Sequence, residues 1–357
     1  MQKINSDSSF ILDAIRGISA QMVLFGHVLS IYGFYSKGSK IPVIQNLGVL
    51  IFFILSGFLI INSILNKHAE YRFKEYFIDR FSRIYIAFVP ALIFVWVIDS
   101  IFSNLASIEL FESQRSLTGF LGNLLMFQNH PLNLFSSYGI QPFGTGRPFW
   151  TVAVEWWIYM FVGFVLIYLK RKNLFTFKNI LLLGFLLIVP MFNIIGRGNG
   201  LMISWLFGGF LVILTSIDLK NTLKSYSLYF ILLVCVICWG LRTYGTNSLN
   251  QYDLGISFFV TIGILSLSKL AAANSWSSKI NKYVKGFFLT IANYSYSLYL
   301  IHYTIVVVLF EVLPKHYSVS IRIFIIVFVS NLLAWGFYYL TERHTNTFKR
   351  MLKRKFL

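Results

Sequence analysis

Ionisable residues inside apolar runs pose the first chemical question in this sequence. The stretch from Leu12 to Tyr32, LDAIRGISAQMVLFGHVLSIY, is apolar enough to cross a membrane, yet it carries Arg16 and His27. An ionisable side chain at membrane depth is expensive, which marks it for function. On a helix the eleven-position spacing returns His27 to within about 20° of Arg16 and roughly 16 Å further along. One face at two depths could anchor a long anionic donor below and do chemistry above. A second run, FWTVAVEWWIYMF, places Glu155 about 9 Å from its start at Phe149, at a depth expected to match His27. A carboxylate can fix an imidazole tautomer and stabilise the imidazolium, so His27 and Glu155 read as a catalytic pair.

Blander roles exist for each group. Glu155 could partner Arg147 or simply sit where a helix amino terminus favours negative charge. His27 could bridge two helices. Arg16 could reach the inner surface or pair with Asp13 three residues earlier. His302, in SYSLYLIH, could face the same cavity or serve in packing.

The elements that must position these groups follow from composition. Of 357 residues, 57% are hydrophobic and only 12% charged, which excludes a soluble domain or a disordered chain. The apolar residues form blocks of roughly 17 to 25, the length that crosses a hydrocarbon core. The fold class is therefore all-α, a polytopic membrane bundle of about ten helices. The expected spans are Phe10–Ile31, Val43–Leu65, Ser82–Phe102, Phe149–Leu169, Asn179–Ile195, Leu201–Ile217, Tyr226–Leu241, Leu254–Ala271, Phe287–Leu313 and Ile321–Leu340. Cys235 and Cys238 lie within one of these runs, where a C-x-x-C spacing without further ligands reads as packing; no metal site is expected.

The net charge of +18 does not point to nucleic acid, because the Lys and Arg gather in short segments between apolar blocks. Alternate connections hold Arg72, Lys74, Arg80 and Arg83, then Lys170 to Lys178, then Lys220 and Lys224, then Lys269 to Lys285. That asymmetry puts both termini in the cytoplasm, beside anionic lipid. The basic tail Lys349–Lys355 reads as topological. In KHAEYRFKEYFIDRFSRIY, an amphipathic surface helix competes with a role for Arg80 and Arg83 in holding phosphates, which suit guanidinium forks. The long outward segment Ser103–Pro148 contains SLTGFLGNLLMF, apolar but too short to cross, and so is expected to be interfacial or re-entrant. It is the natural cover for an acceptor.

Five motifs in order resemble the membrane-bound acyltransferase family 3, whose members O-acylate bacterial surface polysaccharides and other extracytoplasmic acceptors. They are LDAIRGISAQMVLFGH, with ten residues between Arg16 and His27; FFILSGFLI; RFSRIY; FWTVAVEWWIY, with Trp150 and Glu155; and YSYSLYLIH, ending at His302. Departures are Ile86 where the family commonly has proline, Val152 and Ala153 before the glutamate, and no proline after Glu342. The resemblance implies a single transmembrane domain over 1–357, in a bacterial inner (cytoplasmic) membrane. Some relatives carry a fused esterase-like domain; none is expected here, which leaves room for a partner protein.

The resemblance also implies a reaction. Acyl-CoA, with acetyl-CoA the expected donor, would approach from the cytoplasm as co-substrate, with no permanently bound cofactor. Its phosphates would lie near Arg80, Arg83 and Arg16 while its thioester meets His27. The acceptor, a hydroxyl on a glycan or lipid-linked saccharide such as O-antigen, capsule or exopolysaccharide, would meet Trp150, Arg147 and His302. His27 would act as general base or become acylated itself, with Glu155 steadying the imidazole in either case. The alternative of another class is a transporter with a proton path through His27, Glu155 and His302.

Overall fold

The computed structural model describes residues 5–35, 43–67, 71–135, 139–171, 176–195, 200–216 and 254–357, with isolated positions between 227 and 234. In chain order the principal helices are α1 (Ser6–Ile31), α2 (Ile44–Asn66), α3 (Phe73–Ile101), α4 (Leu117–Leu124), α5 (Phe149–Gly163), α6 (Phe177–Ile195), α7 (Leu201–Ser216), α8 (Leu254–Asn274), α9 (Lys282–Asn293), α10 (Ser295–Val312), α11 (Val319–Leu340) and α12 (Thr345–Phe356). The described residues form no strand. Among the described residues, eight helices are long and apolar enough to cross a membrane, and α7 is apolar but shorter. This is a polytopic helical membrane protein. The expected span Tyr226–Leu241, with Cys235 and Cys238, lies outside the described residues.

Two expected boundaries shift. The third span extends back to Phe73, so the segment read as a surface helix is the first part of α3 and carries Arg80 and Arg83 inside it. The ninth is broken at Tyr294 into α9 and α10, with no proline or glycine at the break. On α11, Phe324, Phe328, Leu332, Trp335 and Tyr339 are exposed and line up at helical spacing, a stripe suited to lipid contact.

The chain divides into two compact units. The first holds α1, α2, α7, α8 and α9. Its core joins Leu12 of α1 to Leu50, Ile54, Leu55 and Phe58 of α2, Leu211 and Val212 of α7, and Ile256, Ile264 and Leu265 of α8. Glycines let α2 and α7 meet backbone to backbone: a Cβ on Gly57 would collide with the Trp205 carbonyl, and one on Gly208 with the Ile54 carbonyl. Close approach through small residues is how membrane helices gain van der Waals contact without a hydrophobic drive. Trp205 fixes the register by donating from Nε1 to Ser56 Oγ at 3.2 Å.

The second unit holds α3 to α6 and α10 to α12. Here the segment between α3 and α5 is re-entrant, folding back against the middle of α3. The Tyr85 hydroxyl donates to the Leu124 carbonyl at 3.0 Å, and the Phe88 and Phe149 rings meet at 5.1 Å. Both α3 residues lie well before its end at Ile101. Phe88 is thirteen positions back, or about 20 Å down the axis. Side chains satisfy the segment's buried backbone, as a water-poor interior requires. Asn123 donates to the Gln141 carbonyl at 2.8 Å and accepts from Phe143 N–H at 3.1 Å. Gln128 donates to the Phe149 carbonyl at 2.9 Å, and Asp99 accepts from Thr145 N–H at 2.8 Å.

Candidate active site

The starting depth of α5 decides where Glu155 lies. Because α5 begins opposite Phe88, Glu155 does not sit near the outer end of the bundle as its distance from Phe149 suggests. The next residue, Trp156, packs edge-on against Tyr85 at 5.2 Å and Phe77 at 5.7 Å. Glu155 therefore falls at the level of the two α3 arginines. Of Thr151 to Met160 it is the only residue not buried.

Around it gathers a cluster of cations and phenols. Glu155 accepts from the Tyr159 hydroxyl one turn later, and its charge acts on Tyr76 and Tyr296. The Arg80 guanidinium stands over two rings, 5.6 Å from Tyr76 and 6.0 Å from Tyr159. Its Nε is buried without an acceptor among the described residues. Ring faces attract a cation without neutralising it, leaving the guanidinium fork available to an anion. Tyr76 in turn donates to the Tyr159 carbonyl at 3.0 Å, locking α3 to α5 at this point.

Arg83 is held differently. Its Nη1 lies 2.5 Å from Glu342 Oε1, while Glu342 Oε2 accepts from Ser297 N–H at 3.3 Å and Ser297 Oγ at 3.1 Å. The guanidinium also stands 5.5 Å over the Tyr296 ring, whose hydroxyl donates to the Ile84 carbonyl at 3.2 Å. One buried carboxylate thus joins α3, α10 and the turn after α11. One helical turn below, Asp79 binds Lys353 of α12 at 3.0 Å and accepts from the Tyr71 hydroxyl at 2.9 Å. Burial, then the negative charge of Asp79, push the Tyr71 phenol up from its ordinary value.

In the first unit, α1 is a single unbroken helix across Arg16 and His27, which preserves their common face about 16 Å apart. Arg16 pairs with Asp13 at 2.7 Å, and His27 is half-buried. Beside it, Gly26 leaves room for Gln45 at the start of α2.

The remaining expected site residues lie in the second unit. Trp150 is half-buried at the start of α5, and exposed Arg147 stands 5.8 Å over the Phe111 ring, not in an ion pair with Glu155. His302 is fully buried, its Nδ1 3.0 Å and 2.9 Å from the Leu298 and Tyr299 carbonyls of its own helix.

Sequence reasoning missed Tyr76, Tyr159, Tyr296 and Ser297. The i+4 spacings Tyr76–Arg80 and Glu155–Tyr159 could have flagged the first two. It also missed His130, buried between Phe127 and Trp157 at 5.2 Å from each ring. His130 Nδ1 accepts from Leu132 N–H at 3.2 Å, and burial pushes its pKa down to about 4, keeping it neutral.

The sequence profile of the acyltransferase-domain family matches residues 10–339, nearly the whole chain. Over 325 residues the chain is 25% identical to the peptidoglycan O-acetyltransferase OatA of Listeria monocytogenes serovar 1/2a, covering 83% of this chain and 49% of that protein. The chain thus spans about half the length of this relative. No solved structure matches.

Proposed function

The chain belongs to the acyltransferase-domain family, and from that membership we propose that it moves an acyl group, acetyl in the first instance, from cytoplasmic acyl-CoA to a hydroxyl of an extracytoplasmic glycan. The observation that carries the reading is the half-open cluster of Arg80 and Glu155 at one level of the second unit. A soluble anion carrier needs a cation that is not already spent, and Arg80 is poised on rings where Arg83 is bound to Glu342. In this reading Arg80 takes donor phosphate directly, Arg83 keeps the cluster in shape, and Arg16 supports the donor from α1. The match to a protein named for peptidoglycan O-acetylation supports a glycan hydroxyl as acceptor. A bacterial cytoplasmic membrane with both termini inside fits the charge asymmetry.

In the reaction, His27 takes the proton as the acceptor oxygen attacks the thioester carbonyl. The new C–O bond forms, the C–S bond breaks, and the thiolate of coenzyme A leaves with a proton returned by the imidazolium. The variant in which the imidazole is acylated first uses the same residue as nucleophile. Glu155 supplies the carboxylate of the site, and Trp150, Arg147 and His302 belong to the acceptor side. The family match favours acyl transfer over the transporter path through His27, Glu155 and His302.

The test is transfer of radiolabel from acetyl-CoA in inside-out vesicles containing native glycan, comparing wild type with His27→Ala and with His316→Ala, an exposed histidine outside the proposed machinery. Incorporation into glycan lost only in the His27 variant is expected. Undiminished transfer without His27 would sink this chemistry.

A further inference from the structure

The helix after the last span does more than record topology. Residues 345–357, TNTFKRMLKRKFL, contain five basic side chains and no acidic one. Phe348, Lys349, Leu352 and Lys353 form the half-buried face of α12. Phe348 meets the Phe81 ring at 6.4 Å and Lys353 meets Asp79, so two positions more than a turn apart contact the same turn of α3. A helix crossing α3 meets it in this way; one running along it would not. Its root is fixed as well, because Glu342, two residues after α11, is clamped by Arg83 and Ser297.

The opposite face is open. Arg350, Arg354 and Lys355 are exposed there and Met351, between them, is 56% exposed, while Phe356 continues the Leu352 side of the helix and is exposed only at its end, beside the terminal Leu357. Guanidinium and ammonium groups interleaved with exposed apolar side chains, at the end of a membrane span, match a helix lying in the headgroup region. The positive-inside arrangement sets this end on the leaflet that carries anionic lipid. We propose that α12 is a docking surface for anionic phospholipid, with Arg350, Arg354 and Lys355 taking the headgroup phosphates and Met351 and the terminal Leu357 set into the acyl boundary. Lys349 and Lys353, turned toward α3, hold the helix in place.

The full-length protein would be exposed to equal amounts of phosphatidylglycerol and phosphatidylcholine, and the retained lipid counted by native mass spectrometry. Wild type should prefer phosphatidylglycerol by roughly tenfold or more, since each surface cation adds to the attraction. R350Q/R354Q/K355Q should lose that preference, while charge-conserving R350K/R354K/K355R should keep it. Equal retention of both lipids by wild type, an unchanged preference in the glutamine variant, or its loss in the charge-conserving variant would overturn the proposal. So would coenzyme A that binds wild type and not the glutamine variant, because the face would then belong to the soluble donor.

Discussion

Two ion pairs, one in each compact unit, hold their charges in opposite ways. In the first unit, Arg16 pairs with Asp13 three residues away on one helix, with side chains 25% and 33% exposed. Helices of that unit meet through glycine and bare backbone. In the second, Arg83 pairs with a glutamate 259 positions away whose side chain is 4% exposed, and its guanidinium stands over the Tyr296 ring. A pair on one helix adds little to tertiary structure, whereas a distant one makes charge part of the fold.

That contrast can be broken first where the first unit is least forgiving. Gly57→Leu should cost about 3 kcal/mol or more, because the new side chain strikes the α7 backbone with no flexible neighbour to give way. Loss of the thermal transition in detergent would show it, and a near-native transition would mean that the α2–α7 contact is loose. In the second unit, Glu342→Ala should cost about 2 kcal/mol. That lies below the penalty for a fully buried pair because the Arg83 side chain is 39% exposed. Adding Arg83→Met should recover part of the loss, a non-additivity that a double-mutant cycle measures. The smallest effect belongs to Asp13→Asn, less than about 1 kcal/mol for a half-exposed pair on one helix. A melting shift as large as that of Glu342→Ala would erase the distinction between the units.

The same contrast explains what could be read in advance. The spans are visible as apolar blocks because lipid demands length and hydropathy of each segment independently. Asp13 beside Arg16 is equally visible, since a three-residue separation faces both side chains the same way. Glu155 is visible as a functional residue by type, but its level is not. Counting from Phe149 gives a depth only if the helix starts at the surface, and the re-entrant segment moves that start opposite Phe88. Nothing local announces the partnership of Arg83 with Glu342, because it is made with a residue 259 positions along the chain.

The re-entrant segment carries a consequence for the order of assembly. Its chain is made before α5, yet its hydrogen bonds reach forward to α5 itself, where Gln128 holds the Phe149 carbonyl and Trp157 donates to the Met126 carbonyl at 2.8 Å. Asn123 cannot bind Gln141 and Phe143 until that later stretch has been synthesised. The segment can therefore complete its contacts only after the helix that follows it has been made, which places the packing of this region late in assembly.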